Sequence, residues 1–230
     1  MSQPSANGYN FRVRRLAQPE VLKFAGIAAL LTALLCYPRL YLWTDRRYPL
    51  WYLEAILFLG SIVLWSFVFA WHTFYTRRPV LTLKIPPWLF TATTLAGVAA
   101  GLWDRLFLDP HLRLQVPQEY PANLVEWLAR TLFHLSFLQL FVTFAPFAWL
   151  MRLVHNQAVA VALTVSFGTV ILVLFNRSLP APVSAGLFSV LVVGRLVMGC
   201  LTLWIYLRGG LLLAWWWGLL FEVRLLPDVW

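Results

Sequence analysis

From residue 22 onward the chain alternates long apolar runs with short gaps that are polar, basic or proline-containing. A bilayer core needs about 20 mostly apolar residues per helix. Seven stretches meet that requirement: 22–43, 50–74, 86–103, 128–151, 157–175, 183–207 and 210–226. The predicted fold is therefore all-α, a polytopic membrane helical bundle of about seven transmembrane helices. It forms a single transmembrane domain over 22–230, behind a polar and basic tail at 1–21. The first run is the weakest, because Pro38-Arg39 interrupts it; near an end, Arg39 can snorkel to the headgroups. The longest interruption, 104–127, carries Pro110, Pro117 and Pro121 among alternating apolar residues. It reads as an amphipathic segment on the membrane surface, anchored by Tyr120 and Trp127.

Composition agrees with this pattern. Of 230 residues, 61% are hydrophobic and 12% charged, whereas soluble domains carry about 25% charged residues. The formal net charge of +9 would raise nucleic acid as a partner in a soluble protein. Here the basic residues sit in pairs between apolar runs, as in Arg46-Arg47 and Arg77-Arg78, which suits loops beside anionic lipid. The partners predicted are the lipid bilayer and other integral membrane subunits, with no nucleic acid. Basic residues favour the inner side, so the cluster Arg12, Arg14, Arg15 and the 77–84 loop place the N-terminus in the cytoplasm and the C-terminus opposite. The compartment expected is a cell's inner, or cytoplasmic, membrane. Cys36 and Cys200 lie inside apolar runs without metal or redox spacing and read as buried thiols.

Ionisable residues within spans are costly and need partners. Glu54, Glu126, Arg130, Arg195 and Glu222 are the predicted structural charges. Glu126 and Arg130 stand at i, i+4 in the favoured order, acid first, and His134 continues that face at i+8. Arg195 falls in the middle of the sixth span, where Glu222 or Glu54 is its expected partner. His72 and His134 are the candidate cofactor ligands, able in principle to reach the magnesium of a chlorophyll-type pigment or a haem iron. The simpler role for each is a hydrogen bond to a neighbouring helix.

The segment 122–226 resembles the membrane core of the CPBP family, the CAAX-processing and bacteriocin-processing intramembrane proteases. The family carries Glu-Glu-x-x-x-Arg, then Phe-x-x-x-His, then a late His followed three or four residues on by Asn. Val125-Glu126-Trp127-Leu128-Ala129-Arg130 lies on the first motif, with Val125 in place of the first acid. Leu172 and Asn176 take the Phe and His of the second. Tyr206-Leu207-Arg208-Gly209-Gly210 resembles the turn before the last family helix, which puts Leu219 at the late His and Glu222 near the Asn. The resemblance implies a helical core whose water-activating residues are gone, leaving Glu126, Arg130 and Asn176 as vestiges.

Two functions remain. The first is a non-catalytic accessory or scaffold subunit of a larger membrane complex, such as a photosynthetic or electron-transfer assembly carrying pigments or redox cofactors. The alternative is an intramembrane peptidase of CPBP type with a rearranged Glu/His site built on Glu126, His134 and Asn176. Transport is disfavoured, since no pair of spans repeats the Gly/Pro breaks of a midplane site.

Overall fold

A computed structural model describes residues 16–228, apart from 17, 45, 180 and 181; the Arg12–Arg15 cluster lies outside the described residues. Helix α1 is Pro19–Leu42, started by a proline at its first position. Helix α2 is Leu50–Thr76, with a π-helical turn at Val68–His72. Helix α3 is Pro87–Trp103. A second π turn, Asp104–Leu108, leads into the short α4, Asp109–Gln115, and a 3-10 turn, Pro117–Glu119. Helix α5 is Leu124–Val154, with π stretches at His134–Leu138 and Leu140–Phe144. Helix α6 is Gln157–Ser178, and α7 is Ala185–Val223.

Among the described residues, five helices are long and apolar enough to cross a membrane: α1, α2, α5, α6 and α7. The chain is a helical membrane bundle, but this count corrects the seven spans expected from sequence. One missing span is the 86–103 run. It gives a helix of only 17 residues, about 25 Å long at 1.5 Å per residue. The other is folded into α7. Gly210 has φ 74° and ψ −173° inside that helix, a conformation open to glycine and strained for other residues. Trp217 Nε1 donates to Thr202 Oγ1 at 3.1 Å although 15 residues separate them; in a straight helix they would stand about 22 Å apart. So α7 is a hairpin with arms 185–209 and 211–223. The break is pinned by the 77–86 connection, where Leu211 N donates to Val80 O at 2.9 Å and Arg78 donates to Leu207 O.

Small residues bring the helices together. Ala25, Ala29, Thr32, Ala33, Cys36 and Leu40 form the buried stripe of α1, which lies against α2 with Trp65 Nε1 donating to Thr32 Oγ1 at 3.0 Å. Without a hydrophobic force between helices in lipid, such close approach supplies the attraction. Leu30, Leu31 and Leu34 on the opposite face are more than half exposed, as lipid contact requires. Helix α3 and the second arm of α7 run in the same direction. Thr94 receives the Trp216 indole at 2.9 Å, Gly97 meets Trp217 and Leu220, and Gly101 meets Leu220 and Arg224.

Three smaller expectations change. Trp127 is buried, its indole donating to Glu222 O at 3.0 Å; it holds two helices together rather than anchoring the surface. Cys200 is exposed rather than buried, whereas Cys36 is buried beside Ser136 Oγ at 3.3 Å. The 104–127 segment does present exposed Leu106, Phe107 and Leu114, but it also buries Asp109.

Candidate functional site

The polar groups gather at the start of α5. Asn123 caps that helix, its Oδ1 accepting from Glu126 N at 2.9 Å, while Glu126 Oε2 accepts from Ala122 N at 2.9 Å. This reciprocal bonding satisfies amides that the first turn leaves open. Glu126 Oε1 lies 3.3 Å from Arg130 Nη2 and 3.9 Å from Arg39 Nη1. Arg130 also donates to Gln118 O at 2.6 Å and to Glu119 O, so it clamps the 3-10 turn onto α5. Arg39, read from sequence as a snorkelling residue, instead points at this cluster.

A second pair was not anticipated. Arg224 Nε donates to Asp109 Oδ2 at 3.2 Å, and the Tyr120 hydroxyl donates to Asp109 Oδ1 at 2.9 Å. Burial first, and then the neighbouring carboxylate, hold the Tyr120 phenol well above its usual range, so it stays a donor. Asp109 falls in the 104–127 interruption and Arg224 at the end of the 210–226 run, and nothing in their local spacing relates residues 115 apart.

The structure brings His134 and Glu222 together, His134 Nδ1 against Glu222 Oε1. That contact corrects the expected pairing of Glu222 with Arg195. Glu54 is not the partner either, since its buried Oε2 has no hydrogen bond among the described residues. Arg195 does turn toward the bundle. Its guanidinium rests on Gly168 of α6, where an added Cβ would stand 2.5 Å from Nη2 and 3.1 Å from Nε. Among the described residues no carboxylate lies within 4 Å of it.

A cavity of about 540 Å³ joins these groups, lined by Arg39, Arg130, His134, Arg195, Glu222 and Arg224 on its polar side. Phe133, Leu138, Val142, Ile171, Leu172 and Phe175 form much of the remaining wall, so the cavity has a charged side and an apolar side. A smaller cavity of about 200 Å³ adjoins it and includes Asn176. Asn176 Oδ1 accepts from Val183 N at 2.9 Å, which ties the α6–α7 connection.

His72 lies elsewhere. It is 1% exposed and packed against Tyr206, ring centroids 4.6 Å apart, and Phe147 at 6.3 Å. Unlike His134, it is not part of the wall of the 540 Å³ cavity. His134 remains accessible from the cavity, with Nδ1 already engaged. Among the described residues no cluster of three or more His, Cys, Asp or Glu could hold a metal ion.

Comparison with family models, curated proteins and solved structures finds no match for this chain.

Proposed function

We propose that the chain is a non-catalytic integral membrane subunit, a CPBP-like core over 122–226 that packs onto other integral membrane subunits of a larger complex. One observation carries this reading: the residues at the family's motif positions are bonded into the chain's own connections. Glu126 caps α5 and pairs with Arg130 and Arg39, and Asn176 holds the backbone at Val183. Side chains so engaged serve as braces. An assembly of pigments or redox cofactors, photosynthetic or electron-transferring, is the host that suits exposed flat aromatics such as Trp51, Trp88 and Trp103. In this reading the protein lies in a cell's inner membrane with its N-terminus cytoplasmic. The odd number of membrane-length helices among the described residues supports opposite sides for the two termini.

Extraction from the native membrane in mild detergent tests the proposal: migration with a large assembly on a native gel is expected, and migration alone overturns it. Labelling of cysteines added in 1–10 and after Asp228 should give opposite sidedness. A rearranged-site peptidase draws support from the His134–Glu222 contact on the cavity wall. Cleavage of membrane peptides that Glu126→Gln abolishes, with fold and assembly intact, would establish that reading instead.

A further inference from the structure

The cations on the cavity wall fall into two kinds. Arg39 and Arg130 face Glu126, and Arg224 faces Asp109. Arg195 has neither an ion pair nor a hydrogen bond among the described residues, although it stands near the midpoint of the first arm of α7, where insertion scales place the cost of an arginine at about 3 kcal/mol. It is held in place all the same. The missing side chain at Gly168 leaves the space that its guanidinium fills. Beside it on the same wall are Gln139 and Thr143, which can supply neutral donors. Phe133, Leu138, Val142, Ile171, Leu172 and Phe175 make the apolar part of the wall, and of the two carboxylates on it Glu119 lies beside Arg130 and Glu222 against His134.

We propose that this cavity binds an amphiphile with an anionic oxyacid head, a carboxylate or phosphate on an apolar chain, and that Arg195 is its head-group contact. The planar fork of a guanidinium matches either head. A small soluble anion would satisfy Arg195 but leave the apolar wall wet. A neutral lipid would fill the wall and leave the charge uncompensated. An amphiphile does both, and it can enter from the bilayer. The proposal is independent of whether the protein belongs to a larger complex.

The test uses full-length protein in nanodiscs of neutral phosphatidylcholine. Three spin-labelled probes are added: stearate, the methyl ester of the same stearate, and phosphatidic acid. Stearate or phosphatidic acid should show a motionally restricted component, the larger of the two identifying the head, and the ester should show none. Arg195→Gln should weaken binding at least about tenfold, the worth of one hydrogen-bonded charge, and Arg195→Lys should weaken it less. Gly168→Ala retains every charge yet displaces the guanidinium, so it should also weaken binding, and it decides the matter where Arg195→Gln does not fold. Equal restriction of the ester, unchanged binding in both Arg195→Gln and Gly168→Ala, or displacement of the probe by millimolar inorganic phosphate would each overturn the proposal.

Discussion

His72 and His134 sit in comparable local structure and opposite surroundings. His72 ends one π-helical turn and His134 begins another, and such turns are frequent at functional sites. Around His72 the neighbours are Tyr206 and Phe147, with Phe144 on Tyr206 behind them, an enclosed aromatic core in which neither ring nitrogen has a hydrogen-bond partner among the described residues. Around His134 lie a carboxylate and an open cavity. A π turn thus offers a position, and the tertiary partner decides its use. One imidazole serves as packing material, while the other meets a carboxylate.

Three substitutions sharpen that contrast, each read from unfolding in detergent micelles. His134→Leu takes away the hydrogen-bond partner of Glu222 and should cost about 1–3 kcal/mol, as leaving a buried polar group unsatisfied does; adding Glu222→Leu should recover most of the loss. Failure of the double variant to recover would mean that the contact contributes little. Arg130→Ala frees the Gln118 and Glu119 carbonyls and should cost about 1–2 kcal/mol, accompanied by faster proteolysis within 104–127. His72→Phe should change stability least, by less than about 1.5 kcal/mol, because a volume-conserving apolar replacement of an unpartnered polar group is nearly neutral. A large loss there would reveal a polar role for His72 and erase the distinction.

The bundle and its charged face were readable because both rest on local spacing. Apolar length gave the helices, and the i, i+4 step placed Glu126 against Arg130. The count of spans was not readable, because the 86–103 run folds into only 17 helical residues and the arm after Gly210, although divided from 183–207 in the sequence, ends at Val223 and is shorter still. The partners of Glu222 were likewise hidden. From sequence a carboxylate meets the strongest nearby cation, and Arg195 was chosen. The structure instead sets it beside His134, 88 residues away, and seats Arg195 on a glycine that carried no signal beyond being small. Asp109 and Arg224 show the same limit, being paired across the fold by a packing that periodicity does not describe.

The hairpin at Gly210 also bears on how the protein is made. Five segments are apolar and long enough to enter a bilayer by themselves as they leave the ribosome. The arm at 211–223 is about 20 Å long, short of the roughly 30 Å hydrocarbon core, so its own partition energy does not settle its place. It emerges after the other helices described and meets surfaces already waiting: Thr202 for Trp217, Thr94 for Trp216, and the Val80 carbonyl for Leu211. Biogenesis then divides into an early stage governed by lipid and a late one governed by neighbouring protein. A chain cut short at Gly209 would complete the first and leave the Thr202 and Thr94 hydroxyls of its membrane helices without their indole partners.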